Sequence, residues 1–150
     1  MKDIFDPKTT TDTIARIDQL TPETQPLWGK MNVSHMLAHC CVTYEMAYTD
    51  KHPAPKGFMK IILKLFVKNM VVSEKPYKKN LKTAPQFVIA DERDFKKEKE
   101  RLIAYIKKTE ELGGDHFDGK ENLSFGKMSK KEWNNMFYKH LDHHLQQFGV

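Results

Sequence analysis

Three observations predict an all-α fold for this chain. Apolar residues recur at helical spacing through most of its length, and alternating apolar runs of the kind that form half-buried strands are few. No Asn-Gly or Asp-Gly turn joins two such runs, since Asp118-Gly119 falls in a loop. At 150 residues the chain fits a single domain, 1–150, long enough to bury a core without disulfide or metal staples. The expected architecture is four main helices preceded by an additional short N-terminal one.

That first short helix is expected over about Thr9 to Leu20, with Ile14, Ile17 and Leu20 on one side and Thr21-Pro22 ending it. Trp28-Gly29-Lys30-Met31 leads into a longer helix from about Val33 to Thr49. There Met36, Leu37, Cys40, Tyr44 and Tyr48 make one apolar face, and Val42 and Met46 make another that also carries His35 and His39. A helix apolar on two faces is a buried helix. After His52-Pro53-Ala54-Pro55, the segment Gly57 to Val72 is amphipathic, with Lys60, Lys64 and Lys68 in a stripe. In a single domain such a helix is expected to pack on the core with its lysines in water, the alternative being a place on a membrane surface.

Ser73 to Ala90 holds Pro76 and Pro85 and little periodicity, so it is expected to be a long loop suited to covering a pocket mouth. The next helix should run from about Asp91 to Leu112, with Phe95, Leu102, Ile103 and Ile106 inward and Gly113-Gly114 as its stop. A polar segment, Asp115 to Met128, returns the chain. Ser129-Lys130-Lys131-Glu132 is a capping box that starts the last helix.

Composition limits the functions available. A hydrophobic fraction of 39% with 30% charged residues suits a soluble globular protein, and no stretch approaches the roughly 20 apolar residues of a membrane span. Integral membrane association is therefore not expected. Met1-Lys2-Asp3-Ile4-Phe5-Asp6-Pro7 lacks the apolar core of a secretory signal, which points to the cytoplasm. Cys40 and Cys41 are sequence neighbours, a poor geometry for a disulfide, and read as small buried residues. The formal charge of +5 comes from lysines spread along the chain, often beside acids as in Lys96-Lys97-Glu98-Lys99-Glu100, so no nucleic-acid partner is expected. No Gly-rich phosphate loop, Gly-x-Ser-x-Gly elbow or dinucleotide fingerprint is present, which argues against nucleotide-dependent and serine-hydrolase chemistry.

The chemistry concentrates in the last helix. His140 and His144 stand four apart, hence on one face, and they fall inside the apolar stripe Trp133, Phe137, Leu141 and Phe148. His143 lies near the edge of that stripe and is expected to be exposed. Two imidazoles in an apolar wall are satisfied either by hydrogen bonds or by a divalent metal. His39 is the further ligand the sequence offers. His35, one turn before it, would join only if that face turned inward, and His52 and His116 fall in loops. Candidates for an acid, base or substrate-binding group are Asp142, Glu45, Tyr44 and Tyr48, each also readable as an ordinary surface or core residue.

Met31-Asn32-Val33-Ser34-His35-Met36-Leu37-Ala38-His39-Cys40, with Tyr138-Lys139-His140-Leu141-Asp142-His143-His144-Leu145-Gln146-Gln147-Phe148-Gly149, resembles the DinB-like metal-binding four-helix-bundle superfamily, and within it a branch of unknown function. The resemblance extends through Trp28-Gly29-Lys30-Met31, Asn80-Leu81-Lys82-Thr83-Ala84-Pro85 and Phe125-Gly126-Lys127-Met128. Where that branch carries His-Pro ahead of Phe125-Gly126, this chain has Asn122-Leu123.

The resemblance implies a four-helix bundle of DinB-like type. It places metal ligands at His39, His140 and His144, with Gln147 at the position of a family glutamine. Three histidines without an anionic ligand leave a position open for water or substrate and suit Zn²⁺ best, with Ni²⁺ or Fe²⁺ as alternatives. Two functions are then expected. One is a metal-dependent thiol transferase or hydrolase acting on a small molecule, a low-molecular-weight thiol among the candidates. The other is a non-catalytic, metal-stabilised bundle with a binding or stress-related role. A homodimer is compatible with either.

Overall fold

The computed structural model describes residues 1–150, and the fold is an all-α bundle. Helix α1, Pro7–Asp18, begins where Asp6 accepts a hydrogen bond from the Thr9 amide and Pro7 occupies the first turn. An acidic cap followed by proline is pre-organised for a helix start, which puts the boundary two residues earlier than the apolar spacing alone suggests. Helix α2, Val33–Tyr48, is capped by Asn32 and is buried on nearly all sides from Met36 to Glu45, as two apolar faces require. It packs against both helices of the second half of the chain.

The next helical rod runs as α3, Gly57–Ile62, a wider π-helical turn, Leu63–Val67, and α4, Lys68–Val72. Here the expectation that the amphipathic segment packs on the core needs correction. Leu63, Val67, Val71 and Val72 pack against the core, but Phe58, Met59, Ile61, Leu65, Phe66 and Met70 are exposed. The rod is apolar on two sides and meets the bundle on only one, with α4 lying against the last helix.

The long loop that follows contains one short 3-10 helix, Pro85–Phe87. Helix α5, Phe95–Phe117, starts at an Asp94 cap rather than at Asp91. Gly113 sits at φ 70°, ψ 163°, a conformation only glycine adopts cheaply, so the regular helix stops at the expected place and a short further turn follows. Strands β1, Glu121–Asn122, and β2, Gly126–Lys127, form a two-residue antiparallel hairpin with Glu121 opposite Lys127. Asn122 closes it by accepting from the Ser124 and Phe125 amides.

Helix α6, Lys130–Gln147, carries both halves of the Ser129/Glu132 capping box. Its Trp133, Phe137 and Leu141 fill the centre of the bundle with Leu37, Tyr44, Leu102, Ile106 and Phe117. Tyr44 stacks on Phe137 with ring centroids 4.9 Å apart, and α1 closes the outside of α5 and α6. Two α6 side chains tie down the end of the rod. Asn135 donates to the Val72 carbonyl, and the buried Lys139 ammonium donates to the carbonyls of Met70, Ser73 and Lys75.

Candidate metal centre

Three imidazoles meet where α2 and α6 pack. His39 comes from the middle of α2, and His140 and His144 come from successive turns of α6. Their ring centroids are 4.6 to 4.9 Å apart, and one ligand nitrogen from each lies within 4.8 Å of the others, an arrangement that could hold a metal ion. His39 Nε2 and His140 Nε2 are 2.9 Å apart. A tetrahedral ion with metal–nitrogen bonds of about 2.0–2.1 Å sets its ligand nitrogens roughly 3.4 Å apart, so small side-chain shifts suffice.

The outer nitrogen of each ring is engaged by the protein. His39 Nδ1–H donates to the Phe87 carbonyl at 2.9 Å, and His144 Nδ1–H donates to Gln147 Oε1 at 2.8 Å. His140 Nδ1 pairs with the Thr43 hydroxyl at 3.0 Å, which can serve as donor or acceptor. For His39 and His144 these bonds put the proton on the outer nitrogen and turn an Nε2 lone pair inward, as outer-shell partners of metal-binding histidines do. Gln147 is itself held, its amide donating to the Trp28 carbonyl at 2.7 Å. Gly29 makes room for it: a Cβ there would come 2.7 Å from Gln147 Nε2, and the backbone stands at φ +83°.

Burial lowers the pKa of all three rings. His144 is pushed down to about 3 by burial and by neighbouring His39, opposed by its bond to Gln147. His140 falls well below the usual histidine value through burial and then repulsion from His144 and His39, and His39 is lowered by burial against its bond to Phe87. The trio is therefore neutral at physiological pH, the protonation state a metal requires. With no carboxylate in the group, the donor set suits a divalent ion of borderline softness.

The remaining sequence candidates lie elsewhere. His35 Nε2–H donates to the Asp91 carbonyl and does not join the cluster. His143 is half-buried rather than exposed, its ring edge-on to Trp28 and Tyr77. Glu45 is buried among Lys51, His52 and Arg101, Tyr48 bonds Thr109, and Asp142 pairs with Arg16. Tyr44 is sealed in the aromatic core. None supplies an acid or base at the trio. Two contributors escaped the sequence. Thr43 follows His39 by one helical turn, a spacing that could have flagged it, whereas the Phe87 carbonyl comes from an irregular loop that carries no periodic signal. That loop does cover the cluster, with the Phe87 ring 5.3 Å from His39 and 5.9 Å from His140.

Fold and site together define a helical bundle with a buried three-histidine cluster, one member from an early helix and two from the last. The chain belongs to the family described as "Protein of unknown function (DUF1569)", whose model matches residues 5–149 and so spans the whole cluster. No curated protein and no solved structure matches the chain.

Proposed function

We propose that His39, His140 and His144 hold a divalent metal ion, Zn²⁺ first with Ni²⁺ or Fe²⁺ as alternatives. On this reading the chain is a DinB-like, metal-dependent thiol transferase or hydrolase acting on a small molecule, a low-molecular-weight thiol among the candidates. The observation that supports it is the convergence of three buried, neutral imidazoles, each with its outer nitrogen engaged by the protein. Gln147 and Phe87 hold two of the rings in the ligating tautomer, and the Phe87 ring of the 73–90 loop packs beside His39 and His140. When bound, the ion would act as a Lewis acid that lowers the pKa of a water or thiol in its open position.

The non-catalytic reading is favoured by a different observation. Every acid–base candidate, Glu45, Tyr44, Tyr48 and Asp142, is engaged away from the trio. There the metal would only tie α2 to α6.

Elemental analysis of tag-free protein after divalent-metal reconstitution tests the shared premise. One equivalent in wild type and none in His39→Ala or His140→Ala is expected, and a wild type that takes up no metal overturns it. Titration of the loaded protein with a small thiol then separates the readings. Displacement of one exchangeable ligand is expected for the enzyme, while a thiol-inert site whose loss lowers the melting temperature leaves the structural role.

A further inference from the structure

The charge of this chain is unevenly placed. Residues 51–82 hold nine lysines and one glutamate, a formal +8, while the rest of the chain holds sixteen Lys and Arg against nineteen Asp and Glu, a formal −3. The entire positive balance of the protein thus lies in the 57–72 rod and its flanks. Among these lysines, Lys51 pairs with Glu45 and Lys68 with Glu132, whereas Lys56, Lys60, Lys64, Lys75, Lys78, Lys79 and Lys82 form no ion pair. The lone acid of the segment, Glu74, is already taken by Lys131.

The same rod carries most of the exposed large apolar side chains. Phe58 and Phe66 are each 75% exposed and Leu65 is 65% exposed, with Met59, Ile61 and Met70 beside them. Two phenylalanines and four aliphatic or thioether side chains on one element are more than scattered surface hydrophobics account for. Leu63, Val67 and Val71 on its opposite side anchor it to the core, and Lys139 and Asn135 pin its C-terminal end. The face is therefore presented on a fixed element.

We propose that this rod docks on the surface of an anionic lipid bilayer. It lies in the interface plane with Phe58, Ile61, Leu65 and Phe66 among the acyl chains and the unpaired lysines against headgroup phosphates. Apolar area plus flanking lysines is the combination that binds anionic interfaces. Charge complementarity selects this occupant over a second copy of the chain, because face-to-face pairing would set +8 against +8. It also selects it over a nucleic acid, which would engage the lysines and leave the phenylalanines in water. No helix is long and apolar enough to cross a membrane, so the association is peripheral. This proposal is independent of the metal reading.

Co-sedimentation of the full chain with phosphatidylcholine vesicles, with and without phosphatidylglycerol, tests it. Three proteins are compared: wild type, Lys60→Gln/Lys64→Gln and Phe58→Ser/Leu65→Ser/Phe66→Ser. Binding only to vesicles containing phosphatidylglycerol is expected, weakened more than about tenfold by the lysine pair. The triple-serine variant should fail to bind while keeping the wild-type melting temperature, since its three positions contribute little to the core. Absence of wild-type binding to anionic vesicles overturns the proposal. So does full binding by the triple-serine variant, a dimer in ultracentrifugation that the triple substitution dissolves, or retention on single-stranded DNA that outcompetes the vesicles.

Discussion

Gln147 shows how much of the site rests on residues that do not ligate. Its carbonyl oxygen receives the His144 Nδ1 proton while its amide is held by Trp28, so the ring can neither flip nor change tautomer freely. Gln147→Ala is therefore expected to lower divalent-metal affinity about 10- to 100-fold in a competition titration with a chromophoric chelator. An affinity equal to wild type would remove Gln147 from the site. The three histidines were legible in the sequence because two fall one turn apart inside an apolar stripe and the third lies on a helix apolar on two faces. Thr43 and Phe87 were not. One is a common residue within a helix, and the other acts through a main-chain carbonyl that any residue type could provide.

At the scale of elements, local chemistry decided the boundaries. Ser129 and Glu132 satisfy each other's amides at the start of α6, the helix that carries two of the three imidazoles. Ser129→Ala should cost about 1 kcal/mol, seen as a drop of roughly 2–4 °C in the melting temperature. Lys139 does comparable work in reverse, since its ammonium closes three carbonyls at the end of the rod. Lys139→Met leaves those carbonyls unsatisfied and should cost about 1–3 kcal/mol by denaturant unfolding at pH 7. Burial lowers the Lys139 pKa to about 8 from an ordinary 10.5. The unfolded chain then binds more protons between those values, so wild type should gain on the variant as pH rises from 8 to 10.5. A gap that narrows over this window would contradict the assignment.

The caps at Ser129 and Gly113 were readable as local signals. The exposure of the 57–72 rod was not. An apolar stripe indicates that a face avoids water, but not whether this chain supplies the surface that covers it.

For the whole molecule, fold class was the most legible property, because helical periodicity persists through nearly every segment and the core is built from those stripes. The burial of three neutral histidines also makes stability depend on pH. Their folded pKa values lie below the ordinary 6.5, so below that pH the unfolded chain takes up protons that the folded one refuses. Stability of the metal-free protein should be level with respect to this trio above pH 6.5 and fall as pH drops below it. Each ring that stays neutral contributes up to about 1.4 kcal/mol per pH unit. Denaturant melts between pH 7 and 4 check this, and a His140→Ala/His144→Ala protein should show a flatter profile.

The Thr43 hydroxyl, which can face His140 Nδ1 as donor or acceptor, also sets the proton inventory of the site. While the Thr43 hydroxyl donates, the imidazole proton resides on Nε2 and bridges to His39. Once that position is needed for coordination, the same hydroxyl accepts and the proton relocates to Nδ1. His140 then changes tautomer without changing charge. Calorimetric metal-binding enthalpies at pH 7 should be the same in buffers of high and low ionisation enthalpy. Any proton that does appear in the buffer would come from a molecule bound in the open position rather than from the protein.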